Sequence, residues 1–527
     1  MAATTWISTG STSWNTGANW SLGTVPTSAD DVTFNATSVI NCTCDVAISC
    51  ASINVTSGYS GTLNFGSGSY NHSIALDTVF AGTGTVDRGN ATLTVGGNYN
   101  ISSQGTFTNS SGVTILTGTG KTLTSSTANR PRNITVQTGA SITFTSTGIG
   151  FAYGAWTING SLTLSSTFQG LSEPTWIING TVTGTAYQQI KNCSITLNGT
   201  GTITGQLFLW LEGQVFTHNG GTIGPDVYLQ LYLSSTITGA SPFTLTAKGV
   251  RFKGSSAAYT TTIAQSITFD CPVVNLHTEA GLLTISTSGS NPSLTFKKDV
   301  HLYNTGSITW QKGTGTITLS GTAAQSINFN ALSVETIVVD KTAGTATFEA
   351  NVSPTAFTVS QGTVNINGKT ITTTQHVTAA AGTTVNDTVG GGKFVVGGNF
   401  AANGTSGSGV IWNGPDLQIT GTATANYATV TNSNATGGTE VTATNSTDGG
   451  GNTNWVFGPA AGETIDLTGL TGDFTLSVYG TAAVTVAAGT ATGTGFGQAT
   501  EGNPVTFNLS VTGTVTQIGR ASCRERV

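Results

Sequence analysis

WTINGSLT beginning at Trp156, WIINGTVT at Trp176, ITLNGTGTIT at Ile195 and FTHNGGTI at Phe216 are four versions of one phrase. Their Asn-Gly steps start at Asn159, Asn179, Asn198 and Asn219, so successive phrases lie 20, 19 and 21 residues apart. Within each phrase apolar and polar residues alternate, which is the period of a strand, and each closes on a residue pair able to take positive φ at a turn. A strand-and-turn unit that repeats at this interval is one coil of a solenoid. Aligned on the Asn-Gly step, Trp156, Trp176, Ile195 and Phe216 share a column, and Ile158, Ile178, Leu197 and His218 share the next. The four asparagines make a third column, predicting an amide ladder in which each side chain satisfies its neighbour. His218, in an apolar column, reads as a wall or core residue rather than a catalyst.

The same beat extends outward from these coils. Gly120 and Gly139 keep it upstream, and Gly344, Gly362 and Gly382 keep it downstream. LTVGGNYN from Leu93 is echoed by FVVGGNFA from Phe394, and GKTLTSS from Gly120 by GKTITTT from Gly368. These repeats predict an all-β protein, a right-handed parallel β-helix over residues 36–457 with roughly twenty coils, the hand following from the rule for parallel crossovers. Open terminal coils expose strand edges, so caps are expected. Residues 1–35 supply Trp6, Trp14 and Trp20 for an N-terminal cap, and residues 427–457 supply Trp455 and Phe457 for the other end. Residues 458–517 alternate without the coil period and read as a small, truncated β-sandwich-like module. The last ten residues, IGRASCRERV from Ile518 to Val527, break from the Thr/Gly/Val pattern and resemble the translated read-through of a common sequencing adapter. They are set apart from the fold.

Composition agrees with strand and turn. Of 527 residues 71 are Gly, and only 8% are charged against the ~25% usual in soluble domains, which removes helical bundles and coiled coils from consideration. The 37% apolar fraction, with nine Trp and 22 Phe, supplies the burial that a disordered chain lacks. A net charge of −6 argues against nucleic acid as a partner. No apolar stretch approaches the ~18–20 residues of a membrane span, so no membrane insertion is expected. MAATTWISTGSTSW at the N-terminus lacks the basic and apolar regions of a secretory signal, which with an extracellular-looking composition favours assembly into a virus particle.

Cys42, Cys44 and Cys50 alternate with Asn41, Thr43, Asp45, Ala47 and Ser49, predicting three thiols on the apolar face of one strand. The alternative is a redox or metal role. Asp30 and Asp31, at a Pro-containing turn, are weak candidates for a Ca²⁺ site, since neighbouring oxygen ligands are not evident. No motif implies a cofactor: GxSxG, HExxH, CxxC and phosphate-loop patterns do not occur.

The densest charge is central: Glu212, Asp226, Lys248, Arg251 and Lys253, then Lys297, Lys298, Asp299 and His301. Beside it lie the aromatic stretches LFLWLEGQVF from Leu207 and YLQLYL from Tyr228. Trp210, Tyr228, Tyr232, Lys248 and Arg251 are therefore the candidate ligand-binding residues, suited to sugar rings through aromatic faces and polar rims. Core packing of the aromatics and a solvated strand face for the cations are the alternatives.

Trp14, Asn19-Trp20, Gly23, Val25-Pro26 and DDVTF at Asp30–Phe34, with DGGGNTNWVF closing at Phe457, resemble the segments flanking right-handed β-helix surface proteins of bacteria and bacteriophages, including fibre-like virion proteins. The resemblance implies a scaffold and no particular reaction. It points to a non-enzymatic structural or adhesive protein, located in the virion, whose partners are a cell-surface polysaccharide or envelope receptor and other virion proteins. The alternatives are a secreted bacterial adhesin and a tailspike-like polysaccharide lyase or hydrolase, which needs clustered carboxylates or a Lys or Arg base.

Overall fold

The computed structural model describes residues 1–458, apart from 67–69, 148–149, 167, 171–173, 241, 255–256, 279–281 and 305–306, together with the strands Gly472–Val478 and Val505–Val511. It is 56% strand and forms a parallel β-solenoid of about 18 turns. Among the described residues the one helical element is a single 3-10 turn, Gly17–Asn19, and no helix is long and apolar enough to cross a membrane. The chain divides into two compact units, Met1–Gly315 and Thr316–Val527.

In the first unit the repeats stack as the alignment requires. Trp156 pairs with Trp176, Trp176 with Ile195 and Ile195 with Phe216, always in parallel. Ile158, Ile178, Leu197 and His218 follow in the neighbouring inward column, and both columns are buried. The Trp156 and Trp176 rings stack 5.2 Å apart with planes 9° from parallel. This is the geometry that identical side chains adopt when strands repeat at ~4.8 Å. His218 is buried and stacks on Phe243 at 3.9 Å, and burial pushes its imidazole below the usual value.

The amino-terminal residues do more than close the stack. Ala2–Thr5 pairs in parallel with Asp30–Phe34, which pairs with Ser52–Val55, so the segment expected as a cap also contributes the first rung. Trp6, Trp14 and Trp20 are buried there, with Trp20 4.6 Å from Trp14 and 5.8 Å from Phe34. Their indole N–H groups are satisfied where burial demands it: Trp6 Nε1 donates to Ile40 O and Trp20 Nε1 to Trp14 O, both at 2.9 Å.

The cysteines lie inward, but not on one strand. Cys42 belongs to Cys42–Thr43 and Cys50 to Ser49–Cys50, in different sheets, because the chain turns a corner between them. Alternation survives the corner, and Cys42, Cys44 and Cys50 are all buried free thiols. Burial raises all three, Cys50 to about 12, so none is a ready thiolate at neutral pH.

The second unit repeats the plan. Thr336–Phe348 pairs with Phe357–Asn365, followed by Val377–Ala380, Phe400–Asn403, Ala423–Asn426, Val441–Thr444 and Trp455–Phe457, all in parallel. Trp455 is largely buried, its ring 6.1 Å from Phe400. The Gly-Gly echo has a steric cause. A Cβ at Gly96 would come 2.2 Å from Ala75 O, and one at Gly397 2.8 Å from Thr374 O, so both steps run too close to the preceding coil for any side chain. Beyond residue 458 the described strands Gly472–Val478 and Val505–Val511 form one antiparallel pair. The rest of the expected β module, and Ile518–Val527, lie outside the described residues.

Candidate functional site

One outward face of the first unit departs from the Thr/Ser/Asn surface found elsewhere. It is built by Thr181–Lys191, Thr202–Glu212, Tyr228–Tyr232, Gly249–Lys253 and Val273–Thr278, each paired in parallel with the next. In Thr202–Glu212, Leu207, Leu209 and Leu211 are buried, and alternation turns Phe208, Trp210 and Glu212 outward. Tyr228–Tyr232 does the same, with Leu229 and Leu231 inside and Tyr228 and Tyr232 outside; Gln230 shares the outward phase but is buried. Core packing therefore accounts for the leucines and Phe216 of these stretches and not for Phe208, Trp210, Tyr228 and Tyr232.

Register sets the outward residues in columns. Phe208, Tyr228 and Gly249 form one; Lys191, Trp210, Gln230, Arg251 and Asn275 the next; Glu212, Tyr232, Lys253 and His277 a third. The Tyr228 ring stacks on Phe208, 5.0 Å away and 9° from parallel, and leans over Gly249, where a Cβ would come within 2.8 Å of its Cε2. Trp210 meets Tyr232 edge-on at 6.1 Å. Cations lie over the rings: Lys191 Nζ 4.2 Å from the Trp210 centroid, Lys253 Nζ 5.3 Å from Tyr232, and Arg251 Cζ 5.8 Å from Tyr228. Such contacts orient long basic side chains along the face instead of into solvent.

At the margin stands Tyr187. Between Gly184 and Gln188 the strand spends three residues where its partner spends one, from Gly205 to Leu207, so the excess loops outward. Tyr187 sits in that bulge at φ 42°, 69% exposed, with Lys248 Nζ 5.4 Å from its ring. An aromatic residue held in a left-handed conformation and presented to solvent is strained, and strain of this kind clusters at functional positions. The structure thus gathers all five sequence candidates, Trp210, Tyr228, Tyr232, Lys248 and Arg251, on one surface. Sequence reasoning missed Tyr187, Phe208, Lys191 and Asn275. The two-residue excess in AYQQIK relative to the next coil was the available signal for Tyr187.

Asp30 and Asp31 do not converge. They are consecutive in a strand and face opposite ways, Asp30 inward and Asp31 outward. Asp30 accepts the N–H and hydroxyl of Thr27 at 2.8 and 2.7 Å, and the backbone donor holds its carboxyl below the usual range. Asp31 accepts Ser52 Oγ at 2.6 Å. Among the described residues no group of three or more His, Cys, Asp or Glu side chains is placed to hold a metal ion.

In the second unit a polar cavity of about 530 Å³ is lined by Asp387–Gly391 with Asn413, Asp416 and Asn432. Its carboxylates serve the backbone. Asp387 accepts N–H bonds from Gly368 at 2.7 Å and Gly392 at 2.6 Å, and Asp416 accepts from Asn434 at 2.9 Å. They are turn braces.

Comparison with protein-family models, curated proteins and solved structures finds no match.

Proposed function

We propose that this chain is a non-enzymatic structural and adhesive surface protein of the phage virion fibre type, whose solenoid presents the Trp210–Tyr228 face to polysaccharide on the host envelope. The observation that carries the reading is the outward column of aromatic rings with cations laid over them. Aromatic faces offer sugars a flat apolar platform, and a polar rim fixes orientation. A stack of coils adds one such row every ~4.8 Å, suiting an extended glycan better than a small ligand.

The test is retention of the full chain on immobilised bacterial envelope polysaccharides, compared with Trp210→Ala and Tyr228→Ala. Retention that both variants abolish, with circular dichroism unchanged, supports the reading; equal retention overturns it. Absorbance of unsaturated products and new reducing ends, followed in the same mixtures, addresses turnover. Turnover lost in Lys248→Ala or Arg251→Ala would replace the adhesive reading with a catalytic one. Capsid, portal or tail genes beside this one support the virion; their absence favours a bacterial surface adhesin with the same face.

A further inference from the structure

We infer that the glycan taken by this face is anionic, with its acidic groups received between Lys248 and Arg251. This rests on the saccharide reading above and adds the ligand's charge to it. In a chain of net charge −6 two other lysines of this region are answered by carboxylates: Lys191 lies 3.4 Å from Glu212, and Lys297 lies 3.0 Å from Asp270. Lys248 and Arg251 are different. Among the described residues no carboxylate lies within ion-pair distance of either. They flank Gly249, whose missing side chain lets the Tyr228 ring lie against the strand between them.

A second observation is independent of charge. Three buried polar atoms of one outward column have no hydrogen-bond partner: Trp210 Nε1, Arg251 Nε and Asn275 Oδ1. Asn275 is 8% exposed, and its Oδ1 is withdrawn from bulk water without an internal partner. Buried polar groups are ordinarily satisfied, and those left open at a surface column await a ligand or a bound water. Two of the three are N–H donors, which suit acceptor oxygens of a sugar or its acid group. A planar guanidinium, with an ammonium three residues before it in the chain, is a pairing that receives carboxylate or sulfate.

The experiment is calorimetric titration of the full chain with polygalacturonate, dextran sulfate and neutral dextran at low and high salt. At least one acidic polymer should bind about tenfold more tightly than dextran, and the advantage should shrink as salt rises. Which acidic polymer binds separates carboxylate from sulfate. Lys248→Gln, at an exposed side chain, and Arg251→Gln should each lower acidic-polymer affinity about tenfold and flatten its salt dependence. Equal affinity for all three polymers, or indifference to both substitutions, overturns the inference; the saccharide face then still stands if Trp210→Ala abolishes binding. If the unaltered chain binds none of them and no envelope polysaccharide retains it, both readings fall.

Discussion

Asn179 donates from Nδ2 to Oδ1 of Asn159, one coil away, at 2.7 Å. Asn198 repeats the bond to Asn179 at 2.6 Å and Asn219 repeats it to Asn198 at 3.1 Å, so the middle members both give and receive. Asn179→Ala deletes two of these bonds and strands an oxygen and an amide on its neighbours. The expected cost is about 1–3 kcal/mol, read as faster hydrogen exchange in the coils between Trp156 and Ile223. A loss below about 0.5 kcal/mol, the range of ordinary surface substitutions, would show that solvent replaces the ladder without penalty.

Lys341 is a buried cation with three acceptors. Its Nζ donates to Ala323 O at 2.7 Å, Gln325 Oε1 at 3.0 Å and Ser320 O at 3.3 Å, and the side chain is fully buried. Lys341→Met keeps the stem and removes the three bonds that Nζ donates to those oxygens. Thermal unfolding should register a loss of about 1–3 kcal/mol from the second unit. No change would mean that water replaces the ammonium.

His72 makes the first unit sensitive to acid. Its Nδ1 accepts the Ile48 N–H at 3.2 Å, its Nε2 lies 2.9 Å from Phe65 O, and burial pushes the imidazole down to about 4. Above about pH 6.5 the ring is neutral in both the folded and unfolded states. As pH falls below that, the unfolded chain takes a proton that the folded chain refuses, so stability declines until about pH 4 and then levels. Burial lowers His218 as well, which adds in the same direction. His72→Gln should flatten the fall of the melting temperature between about pH 6.5 and 4.5, part of the slope remaining through His218.

Gly249→Val tests the lean of Tyr228 without touching a charge. A Cβ at this position meets the Tyr228 ring, so the ring must swing away, while the buried residues Val250 and Phe252 are unchanged. Polysaccharide retention should fall several-fold, by the loss of one aromatic platform of about 0.5–1.5 kcal/mol, with the melting temperature little altered. Undiminished retention would remove Tyr228 from the binding face.

Ending the chain after Phe457 should leave a soluble all-β protein. Ending it after Val430 removes Val441–Thr444 and Trp455–Phe457, which cover Ala423–Asn426, and exposes an unpaired edge. That shorter chain should aggregate or bind a hydrophobic dye in size-exclusion and fluorescence assays. Identical behaviour of the two would mean that residues 427–457 do not seal the stack.

The coil register was legible because Asn-Gly is rare enough to align and the period of two then places every neighbour. The corner within Cys42–Cys50 was not, because a bend that preserves alternation leaves no mark on the pattern. Lys341 and Arg88 show a subtler failure. Both continue an inward alternation, Ile337, Val339, Lys341 and Val86, Arg88, and both are buried. Charge argued outward and periodicity argued inward, and periodicity prevailed because the interior supplied partners: carbonyls for Lys341, and for Arg88 the Phe65 ring at 5.1 Å with Ala91 O at 3.3 Å. On the aromatic face, alternation divides leucines from outward aromatics once the strand phase is known, but it gives no hint that Asn275, three coils from Trp210, joins the same column.

Each middle rung of the asparagine ladder makes the same bond to the rung on either side, so the bond pattern itself sets no length. Excising Trp176–Ser194, for example, brings Ile195 to the place of Trp176 and Asn198 to the place of Asn179, next to Asn159. A loss or gain of one full repeat therefore asks nothing of the remaining residues, whereas a change of half a repeat misaligns all of them. Within these coils of the first unit, recombination can therefore add or remove whole repeats while the register of the neighbouring coils is kept.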